Sequence, residues 1–428
     1  METVAGLNIG SSYIVAAVAA VSDERSSVKG FPAGLKMGFS RSAGYRRGVV
    51  TDAESLTHSV KEALEMAEEA CGQNVEAAYI GFSGHTVEIN SIKSGSETGK
   101  ARRITQRDVE RSRRLALVSE MPADRRVIQV FPVKYIPDGI PRAGDPSGMV
   151  CSGPDFQSLV VTADNELIEQ LAGVVRAAGL RALDFLPSPL AAGESVLTGV
   201  QHQLGACVVD IGGSCTSVVL YRHGYPAGYA ALPVGSDHIT SDLAICLRTS
   251  LEAAEEIKRN IGLGGADVDS VISVPRLSGI GDNEVSAKHV VSIIEARAGE
   301  LLDMIGSAVA GLSGGLNLPG GLVFTGGGSA IKGLEKLASG QLGMKVQLGL
   351  YNGSQNTGVR DNDGKGAGCG PDTGVESAVG LLKYFTEKRR RAEQQDVHQP
   401  ASGFWGRVKG ILREPKWKTD NKKQGRIT

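Results

Sequence analysis

Two stretches of the chain share one pattern of apolar and polar positions. Val4 to Asn8 is an apolar run that breaks at Ile9-Gly10-Ser11-Ser12 and resumes from Tyr13 to Val18; Ala206 to Asp210 breaks at Ile211-Gly212-Gly213-Ser214-Cys215-Thr216 and resumes from Val218 to Tyr221. The copies align without a gap, Asn8 with Asp210, Ile9 with Ile211 and Gly10 with Gly212. Each predicts a strand, a tight turn and a second strand, repeated within one chain. A Gly/Ser turn leaves backbone N–H groups pointing one way, and glycine lets an anion approach them, so such a turn can cradle phosphate. A single copy would predict no more than a hairpin. The matched pair predicts two similar halves gripping one polyphosphate through Gly10, Ser11, Ser12, Gly212, Gly213 and Ser214.

A third stretch, Leu322-Val323-Phe324-Thr325-Gly326-Gly327-Gly328-Ser329, predicts a buried strand, a triple-glycine turn and the start of a helix. The alternative there is a strand-to-helix connection whose glycines serve close packing. Elsewhere the period lengthens. Ala53, Leu56, Val60, Ala63, Leu64 and Ala67 recur at helical spacing behind Asp52, which can cap a helix running to about Ala70. Ile294 to Leu302 predicts an amphipathic helix, with Arg297 and Glu300 on its polar side. Glu255 and Lys258 lie three apart on another helix, the spacing of a surface ion pair.

The chain ends differently. Lys388 to Gly403 lacks large apolar side chains and predicts a flexible linker. Beyond it Phe404, Trp405, Val408, Ile411 and Leu412 fall on one helical sector, flanked by Arg407 and Lys409, with Arg413 opposite and Pro415 as the stop. A short helix of this kind is mostly unfolded in water and folds where its apolar face enters a bilayer interface and its cations meet anionic lipid. Docking of the same face on protein is the alternative.

Composition narrows the class. The 428 residues suit roughly three domains. The 57 glycines exceed the usual ~7% and sit at turns between apolar runs, which favours tight connections over low complexity. Six cysteines form no C-x-x-C pair and have no histidine cluster nearby, so free thiols in a reducing compartment are expected rather than disulfides or zinc. No charged leader precedes the first strand, and a cytoplasmic location is expected. The net charge of −1 hides an uneven distribution: twelve Lys/Arg against four Asp/Glu from Lys388 onward, on an acidic body. The tail alone is expected to seek an anionic surface, and no nucleic-acid partner is expected.

Together the order of the three Gly-rich turns resembles the actin-like nucleotide-binding fold, two related α/β domains around a cleft. Arg46-Arg47-Gly48-Val49-Val50-Thr51-Asp52, Ala67-Glu68, Gly81-Phe82-Ser83-Gly84-His85, Ile104 to Val109, Val127 to Ile136, Asp138-Gly139, Asp145 to Met149 and Thr373 to Leu382 narrow this, because they resemble the bacterial cell-division family FtsA over about residues 4 to 386. The resemblance implies ATP and Mg2+ as ligands, with Gly326, Gly327 and Gly328 as the adenosine loop and Glu255 and Lys258 beside the nucleoside. It implies a small inserted subdomain used in polymerisation. It further implies that Arg297 and Glu300 receive the C-terminal peptide of the tubulin-like protein FtsZ, and that the tail holds the assembly on the cytoplasmic face of the membrane at the division site. The expected boundaries are 1–84 for the first part of domain 1, 85–158 for the insert, 159–200 for the return to domain 1, 201–238 for the first part of domain 2, 239–318 for the FtsZ-binding lobe and 319–387 for the closing segments. The linker then runs 388–403, the membrane helix 404–416 and a basic tail 417–428. A pilus or secretion-system component and a small-molecule kinase of the same fold are the alternatives.

The sequence also departs from the family. Asn8 stands where actin-like ATPases usually carry the Asp that holds magnesium through water, leaving Asp210 as the retained carboxylate. Ser188 precedes Pro189 where relatives often place Glu or Gln to orient the attacking water, and Ser217 replaces a common Asp. Backbone donors survive such changes, but metal charge and water orientation do not. ATP binding with slow or absent hydrolysis is therefore expected.

Overall fold

The computed structural model describes residues 2–21, 35–95, 101–105, 107–108, 111, 122, 124–137, 148–151, 154–264, 270–278, 280–349 and 374–397. The expected membrane helix, from Phe404 to Arg413, and the basic tail lie outside them, as do Gln106, Val109, Asp138 and Asp145 of the family-like segments.

Two five-stranded sheets have the same plan. In the first, the hairpin Glu2–Ile9 and Tyr13–Val21 pairs antiparallel, Lys36–Arg41 follows on one side, and Ala77–Phe82 and then Arg181–Pro187 run parallel on the other. In the second, Ala206–Ile211 and Thr216–Arg222 form the hairpin, Tyr225–Leu232 follows, and Leu322–Thr325 and Val346–Leu348 run parallel. The registers match as the sequence repeat requires, with Asn8 opposite Val15 and Asp210 opposite Ser217. Central strands covered on both faces read as nearly continuous apolar runs, which is why Val4 to Ile9 and Ala206 to Ile211 show little alternation.

Each sheet is covered by amphipathic helices. Ala53–Cys71 starts at Asp52, whose carboxylate accepts from the Glu54 and Ser55 backbone N–H, and buries Leu56, Val60, Ala63, Leu64 and Ala67 against the first sheet; Ala53 itself is exposed. The helix Ala287–Ser313, about 40 Å long, covers the second sheet through Val290, Ile294, Ala298, Leu301 and Ile305. Val375–Val397 closes the first domain by lying on Ser188–Val196, and glycine permits the approach: a Cβ on Gly380 would strike the Ala191 carbonyl oxygen, and one on Gly6 the Ala378 oxygen.

Several expected boundaries are corrected. The closing helix passes through 388 to Val397, so the flexible linker does not begin at Lys388. Absence of apolar residues signalled no core, but Lys, Arg, Glu, Ala and Gln all propagate a helix already started. Lys388 also anchors it, donating to Gln129 Oε1 at 2.9 Å. The insert is a three-stranded antiparallel sheet, Glu88–Gly95, Pro154–Asp164 and Arg125–Pro137, and its central strand holds register to Asp164 rather than ending at 158. The boundaries at 200 and 238 fall inside the helices Gly199–Leu204 and Ser236–Leu247.

Candidate functional site

The two repeated turns close in the same way. Gly10 N–H donates to Tyr13 O at 3.2 Å, and Gly212 N–H to Cys215 O at 2.9 Å. They then meet: Ser214 N–H donates to Ser11 Oγ at 3.2 Å across the cleft between the domains. A Cβ on Gly213 would lie 2.0 Å from Ser12 Oγ and 2.7 Å from Asp237 Oδ1, so glycine alone keeps the space between the turns open. The helix Ser236–Leu247 seats its N-terminus beneath the second turn, Ser236 and Asp237 N–H donating to Gly212 and Gly213 O at 2.9 Å.

The third turn joins this pair. Gly326 has φ of 78° and sits against Asp210, where a Cβ would be 2.3 Å from Oδ1. Gly327, Gly328 and Ser329 fall in a short 3-10 turn, not the first turn of an α-helix, which starts at Leu334. Leu263 N–H donates to Lys332 O at 2.7 Å, docking this loop on the end of the helix Leu251–Ile261 that carries Glu255 and Lys258. Gly10 to Ser12, Gly212 to Ser214, Gly326 to Gly328 and the Glu255 helix are thus brought to one cleft.

Lys258 is not a surface residue. It is 3% exposed, and its ammonium meets Ser236 O at 3.2 Å, Thr240 Oγ1 at 2.8 Å and Glu255 Oε2 at 2.5 Å. Three acceptors exhaust its three donors. Lys258 therefore fixes Glu255 and the N-terminus of the helix below the second turn, and Glu255, also held by Arg259 Nε at 2.9 Å, is the half-exposed member facing the cleft. Burial opposes ionisation of Glu255, yet Lys258 holds its carboxyl below the usual range.

At the metal position the two candidates differ. Burial pushes Asp210 up to about 6. Thr325 Oγ1, buried beside it in the parallel ladder, has no protein partner. Asn8 instead is committed within the protein: its Oδ1 accepts from Ser188 Oγ at 2.6 Å and its Nδ2 donates to Gly374 O at 3.4 Å. Ser188 is thus hydrogen-bonded to the residue that stands in place of the usual Asp. Among the described residues no three His, Cys, Asp or Glu side chains converge. The donor set fits a magnesium held mostly by phosphate and water with Asp210 behind it, and does not fit Asn8 as a charged holder.

Arg297 and Glu300 lie on the helix Ala287–Ser313. Arg297 is less free than its helical face suggests, because Nε donates to Asp242 Oδ2 at 2.6 Å and Nη1 to Glu300 Oε2 at 2.7 Å. It ties two helices together, whereas the Glu300 side chain is 66% exposed.

Three further contacts cross the cleft. Tyr229 OH donates to Gly84 O at 2.9 Å with Ser217 Oγ beside it, Arg259 Nη2 reaches Tyr13 OH at 3.5 Å, and Arg47 N–H donates to Ser214 Oγ at 2.9 Å. Only the R-R-G-V-V-x-D pattern around Arg47 drew notice to one of them.

Solved structures share this architecture. A structure of the PilM-PilN type IV pilus biogenesis complex matches with a TM-score of 0.60 at 19% identity, over 89% of this chain and 98% of that one. MreB 5 of Spiroplasma citri bound to AMPPNP matches at 0.52 and 12%, over 92% and 99%. These likenesses show the actin-like fold. Sequence is more selective: the family model described as Cell division protein FtsA matches residues 207–363, and that of the SHS2 domain inserted in FTSA matches 84–162. Cell division protein FtsA of Bacillus subtilis is 30% identical over 84% of this chain and 80% of that protein, and that of Pseudomonas aeruginosa is 30% identical over 91% and 90%. The chain belongs to the FtsA family of actin-like cell-division proteins.

Proposed function

We propose that this protein binds ATP between its two repeated turns and uses it as a structural ligand for self-assembly, anchoring FtsZ filaments to the cytoplasmic face of the membrane at the division site. The observation that carries the nucleotide reading is the meeting of the turns, Ser214 N–H on Ser11 Oγ, with only glycine at 213 between them. Backbone donors on both sides of a narrow gap favour a polyphosphate. The solved relatives with this fold include MreB 5 bound to AMPPNP. Asp210 would stand behind a magnesium ion carried in with the phosphates, the ion supplying charge neutralisation, and Glu255 would stand beside the nucleoside. Hydrolysis is slow in this reading, because Asn8 and Ser188 satisfy each other rather than a water.

Partner binding rests on other parts. The lobe carrying Glu300 also exposes Ile245, Leu277 and Ile280, more apolar surface than a solvated lobe needs, which suits capture of a peptide or of a second copy. No described helix is long and apolar enough to cross a membrane. The sequence from Phe404 to Arg413 would supply the attachment instead, through an apolar face of five residues with cations at its flanks.

Anisotropy of fluorescent ATP tests the nucleotide reading. The wild type should bind and Gly213→Val should not, since the new side chain would occupy the space beside Ser12 and Asp237. Saturable binding unaffected by Gly213→Val would contradict this site.

A further inference from the structure

One cationic turn lies against the phosphate site without a partner that accounts for it. Tyr45–Arg46 and Val49–Val50 form a two-residue hairpin whose central residues, Arg47 and Gly48, have φ of 52° and 77°. Positive φ at both positions is the requirement of a type I′ turn, usually met by Asn or Gly; arginine there bears a steric cost. The turn is pinned to its own domain: Tyr45 OH donates to Ser83 O at 2.7 Å, His85 Nδ1 lies 3.3 Å from Arg47 O, and a Cβ on Gly48 would strike the Gly84 Cα. Its tip reaches the other domain, Arg47 N–H donating to Ser214 Oγ. The guanidinium extends past the second phosphate turn to within 3.5 Å of His238 Nε2. Among the described residues no carboxylate forms an ion pair with it.

A fixed cation at this place has a use. A nucleoside triphosphate brings several negative charges into the cleft, and a cation on the phosphate side balances part of them. A guanidinium matches a phosphate in a two-pronged hydrogen bond, which a lone imidazole cannot. We propose that Arg47 is a terminal-phosphate clamp, leaving His238 to grip the last phosphate of ATP from the domain opposite the second turn. This rests on the nucleotide reading above and extends it, because a diphosphate leaves the guanidinium at His238. The clamp then makes closure of the two domains depend on which nucleotide is bound.

The test compares ATP and ADP affinities, by calorimetry at matched magnesium, for the wild type, Arg47→Asn and Arg47→Lys. Asparagine tolerates positive φ and keeps the backbone donor to Ser214, so it removes the cation without unseating the turn. The expected result for Arg47→Asn is a loss of about tenfold or more in ATP affinity, the worth of a charge-assisted bond, with ADP unchanged. Arg47→Lys should be intermediate. An ATP-to-ADP affinity ratio unchanged in Arg47→Asn overturns the proposal, as does an equal loss for both nucleotides with a lowered melting temperature, which would mark a purely structural role. Absence of ATP binding by the wild type would instead overturn the nucleotide reading on which it rests.

Discussion

Replacing Asn8 by Asp changes one heavy atom and two hydrogen bonds. Asn8 is 7% exposed, accepting from Ser188 and donating to Gly374 O. As aspartate it keeps the Ser188 bond, now charge-assisted and stronger by about 1 kcal/mol. The other oxygen loses the 3.4 Å donation and faces a carbonyl oxygen instead. Desolvating a carboxylate that has no cation adds a larger cost, so the net destabilisation without ligand is about 2–4 kcal/mol. Its pH dependence has a definite sign. Burial without a cation raises the folded pKa above the unfolded ~3.9, so the added carboxyl's favourable contribution is full below that value and is lost as pH rises through the folded pKa. Denaturant titrations at pH 7 should show the full deficit relative to the parent, and titrations near pH 4 should show it shrinking. With magnesium and ATP bound the balance reverses, because the new carboxylate can hold a metal-bound water: binding should become more magnesium-dependent, and single-turnover hydrolysis should exceed the parent's. A variant as stable as the parent at pH 7 would refute the buried Asn8–Ser188 pair. One that hydrolysed ATP no faster than the parent would refute the assignment of slow hydrolysis to Asn8.

Other predictions follow the same reasoning. In the insert, Arg102 and then Thr105 hold the Asp108 carboxyl well below the usual carboxylate range, so Asp108→Asn should destabilise the protein by about 1 kcal/mol at pH 7. That contribution is present above the unfolded ~3.9 and is lost as pH falls through the folded value, so thermal melts of parent and variant should converge in acid. Lys258→Met takes the ammonium away from Ser236 O, Thr240 Oγ1 and Glu255 Oε2, leaving Glu255 to Thr240 and Arg259, and should cost about 3 kcal/mol in denaturant unfolding, together with a loss of nucleotide affinity. Glu300→Lys should weaken capture of an FtsZ C-terminal peptide on a sensor surface while ATP affinity stays level. The same reversal at Arg297 would also break its tie to Asp242 and is expected to lower stability.

What the sequence revealed follows from what repeats and what is local. The two matched hairpins were legible because strand, Gly/Ser turn and strand occur twice, and the two sheets share one strand order. The capped helix after Asp52 was equally plain. Burial of Lys258 was not, because an i,i+3 spacing reports a shared helical face but not that Ser236 and Thr240 of the preceding helix cover it. The Asn8–Ser188 bond joins residues 180 apart, so two substitutions that looked independent proved to be partners. The closing helix was cut short at Lys388 because low hydrophobicity was read as flexibility, although helix propensity persists without a core.

If one chain links nucleotide, FtsZ and membrane, co-sedimentation with anionic vesicles will show it. With ATP and FtsZ present, the full chain should carry FtsZ into the vesicle pellet. Trp405→Glu, which puts a charge on the apolar face, should leave both proteins in the supernatant while still binding FtsZ in solution. Recruitment of FtsZ to vesicles by Trp405→Glu at the wild-type level would contradict the account.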